Sequence, residues 1–328
     1  MVNVLKDRTA NIPESNEELI SEINRLRKER NAIILAHYYQ EAEIQDIADF
    51  VGDSLQLSQQ AAKTSADVIV FAGVHFMAET AKILSPSKTV LIPDVEAGCS
   101  LADSCNAADF EKFLKDYPGH TVISYVNTTA EVKALTDIIC TSSNALEIVN
   151  YLPKDEPIVF GPDKNLGSYI KSVTGRDMII WDGACHVHER FSLEKILILK
   201  KENPNAKIIA HPECEKPVLL VSDFIGSTSA LLKFTKEDTS DVYIVCTESG
   251  ILHQMKKLHP EKTFIPAPPN DSTCACNDCQ FMKLITLKKI YLSLVNNKFE
   301  IKLDSKVIQR AEKPIKRMLE LSEKFGIK

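Results

Sequence analysis

Cysteine residues recur at matching points of the chain and could bind a metal centre. Cys99 and Cys185 each follow an apolar segment by a few residues, and a third such segment leads to Cys274, Cys276 and Cys279. Three thiolates, one from each region, suit a 4Fe–4S cluster with one open iron that acts as a Lewis acid. Two alternatives remain: free cysteines often pack as small apolar core residues, and zinc is a rival metal, although structural zinc normally takes four ligands.

Histidine, tyrosine and glutamate side chains near the ends of predicted strands could move protons. The candidates are His37, Tyr39, Tyr125, His188, His211 and Glu213. Together they cover several pKa ranges, which suits general acid–base catalysis. Partial burial would raise the pKa of Glu213 and let it both accept and donate a proton. A histidine at a strand end is also often purely structural, and His188 rests only on its place three residues after Cys185.

Hydroxyl side chains stand at three corresponding positions, Ser54, Ser142 and Thr228, each ahead of a stretch with helical character. A hydroxyl at such a position can cap the helix. Because the N-terminus of a helix also attracts anions, three such positions around one cavity would bind carboxylate or phosphate groups. The plainer interpretation is that they are helix caps alone.

The elements that must position these residues alternate between short apolar segments and amphipathic ones, which predicts an α/β protein with parallel sheets. The predicted strands lie at 32–36, 68–72, 90–92, 121–125, 158–160, 178–181, 207–210, 242–246 and 264–266. A capping box at residues 15–18 predicts an N-terminal helix. Helices are also predicted at 281–295 and 307–325, where Pro314 should break or kink the second.

An internal repeat organises the strands. His37, Tyr125 and His211 align, and twelve residues later each copy has an aspartate, two apolar residues, a small residue and, at the sixth place, a hydroxyl. Further along, residues 70–73, 159–162 and 245–248 align. The repeat predicts three homologous α/β/α units of three strands each around a pseudo-threefold axis. Since ligands bind beyond the carboxyl ends of parallel strands, the functional residues should converge on one cavity.

The repeat also divides the chain. We predict α/β/α domains at residues 1–104, 105–190 and 191–282, with the C-terminal helices of residues 283–328 returning to the first domain.

Composition narrows the class of protein. The 328 residues include 39 basic and 45 acidic side chains, a net charge of −6, so nucleic acid is a poor partner. No apolar run approaches the roughly 18 residues that span a bilayer, which predicts a cytoplasmic protein without a membrane partner. In such a reducing compartment, nine cysteines favour metal binding or redox chemistry over disulfides.

Several dispersed motifs together resemble the quinolinate synthase family. They lie at residues 37–40, 52–54, 125–129, 140–142, 185–188, 211–214 and 226–228, and at Cys279, three residues before Met282. The resemblance runs from about Ile33 to the end of the chain. It implies three α/β/α domains around a 4Fe–4S cluster with three cysteine ligands. It also implies condensation of iminoaspartate with dihydroxyacetone phosphate to quinolinate, phosphate and water in de novo NAD synthesis, with L-aspartate oxidase as a supplier of iminoaspartate.

The resemblance also implies roles for individual residues. The implied cluster ligands are Cys99, Cys185 and Cys279. The implied substrate-binding residues are His37, Ser54, Tyr125, Val126, Asn127, Ser142, His211, Pro212, Glu213 and Thr228. Tyr39 and His188 are further implied catalytic residues, beside His37, Tyr125, His211 and Glu213.

One position departs from the family pattern. Many bacterial members carry CxxCxxC in the last segment, whereas this chain has Thr273 at the first cysteine position, which argues against a regulatory disulfide there. Two other functions fit the residues: an iron–sulfur hydro-lyase of a hydroxy acid, and an electron-transfer protein. Electron-transfer clusters usually take four cysteines, and no fourth cysteine recurs here.

Overall fold

Three parallel sheets of four strands each form the centre of the computed structural model, which describes residues 12–270 and 277–327. The strands of the first sheet are β1 Ala32–His37, β2 Phe50–Gly52, β3 Val68–Ala72 and β4 Thr89–Leu91. Those of the second are β5 Thr121–Tyr125, β6 Ile138–Cys140, β7 Ile158–Gly161 and β8 Met178–Ile180. Those of the third are β9 Lys207–Ala210, β10 Phe224–Ile225, β11 Val242–Cys246 and β12 Thr263–Pro266.

The strand order is the same in all three sheets. It reads β2-β1-β3-β4, β6-β5-β7-β8 and β10-β9-β11-β12. The predicted α/β class with parallel sheets is therefore confirmed. The prediction of three strands per unit is wrong, because each sheet has a fourth, short strand at one edge. With only two or three residues, these edge strands are too short to show a periodic pattern.

The repeated aspartate explains how each edge strand is fixed. The carboxylates of Asp49, Asp137 and Asp223 accept the backbone N–H groups of residues 34, 122 and 208 at 2.8, 2.9 and 2.8 Å. Each aspartate returns its own backbone N–H to the carbonyl oxygen of the same partner, at 2.9, 3.0 and 2.7 Å. This part of the repeat is therefore a structural signature.

Helices flank the sheets. Their bounds are α1 Asn16–Glu29, α2 Ala42–Ile47, α3 Ser54–Lys63, α4 His75–Leu84, α5 Ser100–Asp103, α6 Ala107–Leu114, α7 Ala130–Lys133, α8 Ala145–Tyr151, α9 Lys164–Thr174, α10 Leu193–Glu202, α11 Lys216–Leu220, α12 Thr228–Glu237, α13 Ile251–Leu258, α14 Leu287–Asn296 and α15 Ser305–Lys324. Ser15 caps α1 as predicted, accepting the N–H of Glu18 at 3.2 Å. Of the break or kink predicted at Pro314, the break does not occur, because this proline lies inside α15.

The two C-terminal helices pack on different parts of the molecule. Helix α14 lies against α1 and β3 of the first unit, whereas α15 lies against α4 and also against α7 and β6 of the second. The predicted domain boundaries remain a prediction. Among the helices of the described residues, none has the length and apolar character needed to cross a bilayer.

The apolar core holds the strand ends in place. One cluster of buried side chains runs through the first and second sheets and includes side chains of α14 and α15. In the third sheet, Ile208 and Ile244 belong to one apolar cluster, and Ile209 and Tyr243 to another. This alternation shows that both faces of the third sheet are covered, as in other parallel sheets.

Candidate active site

One cavity lies where the carboxyl ends of the strands of all three sheets converge. Its lining includes thirteen residues singled out from the sequence: His37, Tyr39, Ser54, Cys99, Tyr125, Asn127, Ser142, Cys185, His188, His211, Glu213, Thr228 and Cys279. Val126 and Pro212 are not among the described residues that line the cavity, and both are buried. Convergence of the three units on one site, expected from the repeat, is therefore what the structure has.

The strand ends orient two histidines in the same way. His37 ends β1 and His211 follows β9; the Nδ1 atom of each accepts a backbone N–H from two residues ahead, Tyr39 at 3.2 Å and Glu213 at 3.4 Å. Burial lowers the pKa of each imidazole to about 3. Both rings are therefore neutral at physiological pH, with the proton on Nε2. This Nε2 of His211 lies 3.1 Å from the hydroxyl of Ser142.

Glu213 is the buried centre of a polar network. The phenol of Tyr125 donates to its Oε1 at 2.6 Å, and Nδ1 of His188 lies 3.1 Å from its Oε2. Burial acts to raise the pKa of Glu213, but the positive charge of the protonated forms of His188 and His211, with the hydrogen bonds from His188 and Tyr125, outweighs it and brings the pKa down to about 2. The expected rise in pKa is therefore wrong, and Glu213 is an ionised carboxylate at neutral pH.

Tyr39 joins this network through a residue that the sequence reasoning missed. Its hydroxyl lies 3.0 Å from Thr228 Oγ1 and 2.7 Å from Thr247 Oγ1. Thr247 also lies 2.9 Å from Nε2 of His188. Burial raises the pKa values of Tyr39 and Tyr125 well above the usual range, so both are neutral phenols. The available signal for Thr247 was its place directly after β11.

The alternative that Ser54, Ser142 and Thr228 are helix caps is wrong. Asp53 caps α3, accepting the N–H groups of residues 55 and 56 at 3.1 and 3.0 Å, and Ser227 caps α12. Ser54 and Thr228 are the first residues of these helices, and Ser142 lies two residues before Asn144, the N-cap residue of α8. All three predicted hydroxyls line the cavity, each at or near a helix N-terminus.

Asp53, which the sequence reasoning also missed, links the three units beside the cavity. Its Oδ2 accepts hydrogen bonds from Ser143 of the second unit at 2.8 Å and from Ser229 of the third at 2.6 Å. Its Oδ1 caps α3 in the first unit. This buried carboxylate therefore holds together the three helix starts that carry the cavity hydroxyls.

The three predicted ligand cysteines differ from the other cysteines of the described residues. Cys99, Cys185 and Cys279 are partly exposed and line the cavity, whereas Cys105, Cys140, Cys214 and Cys246 are buried. The alternative that Cys99 and Cys185 are ordinary core residues is therefore disfavoured. Cys274 and Cys276 lie outside the described residues.

The thiol groups fit an iron–sulfur group. Desolvation by the surrounding protein raises the pKa of Cys99 to about 12 and of Cys279 to about 11, and the neighbouring Cys279 adds to the rise at Cys99. A bound cation reverses this preference, since metal-coordinating thiols are deprotonated. A rival set for a single metal ion shares Cys185 with them, because the ligand atoms of Cys185, His188 and Glu213 lie within 4.8 Å of one another.

Comparison with known proteins identifies the family. Residues 21–320 match the family model described as Quinolinate synthetase A protein. The chain is 60% identical to the quinolinate synthase of Thermosynechococcus vestitus over 305 residues, which cover 93% of this chain and 96% of the relative. It is 59% identical to the quinolinate synthases of a Synechococcus and a Synechocystis strain, again over 93% of this chain and over 95% and 96% of theirs. The chain belongs to the quinolinate synthetase A family.

Proposed function

We propose that this protein condenses iminoaspartate with dihydroxyacetone phosphate to give quinolinate, phosphate and water, with a 4Fe–4S cluster bound by Cys99, Cys185 and Cys279. One observation carries the proposal. Three partly exposed cysteines, one following the last strand of each sheet, line the same cavity as the acid–base network. When bound, the cluster supplies a Lewis-acidic iron that helps hydroxide to leave a substrate. The names of the relatives support the same reaction.

Hydroxyl groups bind the substrate anions in this proposal. The lining includes no lysine or arginine among the described residues. Substrate carboxylates and the phosphate therefore depend on Ser54, Ser142 and Thr228, together with the backbone N–H groups of the helix starts and the neutral histidines. Helix N-termini attract anions without a nearby basic side chain.

Glu213 and Tyr39 divide the proton transfers. The carboxylate of Glu213 lines the cavity and is ionised at neutral pH, so we assign to it the proton abstractions from carbon during isomerisation and dehydration. Tyr39 remains protonated and donates to developing oxygen anions, whereas the phenol of Tyr125 donates to Glu213 and orients that carboxylate. Because the overall reaction needs no net redox change, this division of roles favours catalysis over electron transfer.

The substrates point to the reaction that precedes this one. An imine of an amino acid arises by oxidation of the amine, so an amino-acid oxidase such as L-aspartate oxidase is the proposed supplier of iminoaspartate.

An anaerobic assay tests the proposal. The protein, reconstituted with iron and sulfide, is supplied with chemically generated iminoaspartate and dihydroxyacetone phosphate, and quinolinate is measured by chromatography. We expect quinolinate and phosphate in equal amounts. A parallel reaction with hydroxy acids tests hydro-lyase activity; dehydration of a hydroxy acid without any quinolinate formation would contradict the proposal.

A further inference from the structure

Strand register brings two buried acids into equivalent positions. Ser124, just before Tyr125, pairs with Gly161, and Ala210, just before His211, pairs with Cys246. Asp163 and Glu248 therefore each lie two residues beyond a matched strand position. The sequence alignment of residues 159–162 with 245–248 is shifted by one residue in the third unit, so it does not align Asp163 with Glu248.

Asp163 uses its two carboxylate oxygens for two separate tasks. Oδ1 caps α9 by accepting the N–H groups of Asn165 and Leu166 at 2.7 and 2.9 Å. Oδ2 accepts the backbone N–H of Cys185 at 3.0 Å. The side chain is fully buried, so the loss of either partner would leave an unsatisfied group. One oxygen thus serves the fold of the second unit and the other fixes a ligand cysteine.

Glu248 makes the corresponding contact in the third unit. Its Oε1 accepts the backbone N–H of Cys279 at 3.2 Å and lies 3.2 Å from Nζ of Lys283. Its Oε2 accepts the N–H of Gly250 at 2.7 Å. The side chain is 0% exposed. Lys283 in turn donates to the carbonyl oxygen of Tyr39 at 2.9 Å, which connects the segment from Cys279 to Lys283 with the first unit.

In the first unit, the segment that carries the ligand cysteine is held by a different contact. The equivalent position there is Val74, which precedes α4 and has no carboxylate. The loop before Cys99 is held by the backbone instead, with the N–H of His75 donating to the carbonyl oxygen of Ala97 at 2.7 Å. Each of the three cysteine loops is therefore anchored to the segment that follows the second inner strand of its sheet.

We infer that Asp163 and Glu248 are positioning residues that hold Cys185 and Cys279 ready to bind the cluster. The inference rests on the proposed cluster ligands. Groups that orient metal ligands commonly contribute 10- to 100-fold to metal affinity, although they do not touch the metal. Removal of either acceptor should let its cysteine loop reorient and should speed loss of the cluster, with little change in the rest of the fold.

The test separates the two oxygens of Asp163. In the Asp163→Ser variant, a serine can still cap α9 but cannot reach Cys185 as well. Asp304→Ser is the control for capping, since Asp304 caps α15 by accepting the N–H groups of residues 306 and 307. Glu248→Ala removes the other acceptor, and Glu248→Gln keeps an amide oxygen that can accept from Cys279. Each full-length protein is loaded anaerobically, and iron release to a chelator and the melting temperature are measured.

We expect iron release about 10- to 100-fold faster in Asp163→Ser and Glu248→Ala. Release should be close to wild type in Asp304→Ser and Glu248→Gln. The buried N–H groups left without an acceptor should lower the melting temperatures of the two loss variants only modestly. Release within about twofold of wild type in both loss variants would overturn the inference, as would a fall in melting temperature that accounts for the faster release. Failure of the proposed reaction has a different signature: the wild-type protein would hold its iron but form no quinolinate.

Discussion

The phenol of Tyr125 donates a 2.6 Å hydrogen bond to Glu213, joining the second and third units at the centre of the cavity. Each residue lies at or just beyond the end of the inner strand of its sheet, β5 or β9. Neither unit alone can therefore supply this pair. The packing of the units against one another builds the acid–base network, and Asp53 holds their helix starts in register beside it.

Glu213→Gln tests the carboxylate as a proton acceptor. Glutamine keeps the size and can still accept the Tyr125 hydrogen bond, but it cannot take up a proton. We expect normal iron content, nearly unchanged substrate binding and a fall in kcat of roughly 100-fold or more. Steady-state kinetics beside iron analysis check this. Nearly full activity in the glutamine variant would move the base to His211 or Tyr39.

Thr247 offers a test of how the orientation of Tyr39 contributes to turnover. Thr247→Val removes the hydroxyl that lies between Tyr39 and His188 while keeping the shape, and Thr247→Ser restores the hydroxyl. We expect kcat to fall about 10- to 100-fold in the valine variant, with KM and iron content little changed, and to recover in the serine variant. Equal kinetics in the two variants would remove the role of this hydroxyl.

Variants of the adjacent residues Ser227 and Thr228 distinguish helix capping from anion binding. Ser227 accepts the N–H of Ala230 at 3.3 Å as the cap of α12, whereas Thr228 lines the cavity. Ser227→Ala should cost about 0.5 to 2 kcal/mol in the free energy of unfolding. Thr228→Val should leave stability nearly unchanged and raise KM for substrate. Denaturant unfolding and kinetics on both variants check this; the reverse pattern would return Thr228 to a capping role.

The location of the site was predictable from the sequence because it depends on topology. Residues at corresponding strand ends of a threefold repeat must meet if the sheets pack end to end, and His37, Tyr125 and His211 do so. The identity of the caps was not predictable in the same way. Asp53 and Ser54, like Ser227 and Thr228, are adjacent residues able to cap, and only the backbone conformation shows which of each pair begins the helix.

The charge state of Glu213 could be predicted only from the three-dimensional contacts. Burial alone raises the pKa of a carboxyl group, and burial was all that the sequence indicated. The donors that reverse the direction come from Tyr125 and His188, which are distant in the chain. Thr247 and Glu248 were missed for a related reason. The repeat alignment of the third unit was shifted by one residue, so neither residue was aligned with its equivalent in the other units.

The iron and sulfide content of cysteine variants tests the central claim most directly. Single changes to alanine at Cys99, Cys185 and Cys279 are compared with changes at the buried Cys105, Cys140 and Cys246 after anaerobic reconstitution. The account predicts loss of the cluster and its visible absorption in the first three variants and retention in the other three. Full cluster content in the Cys279→Ala protein would contradict it and would move the third ligand to Cys274 or Cys276.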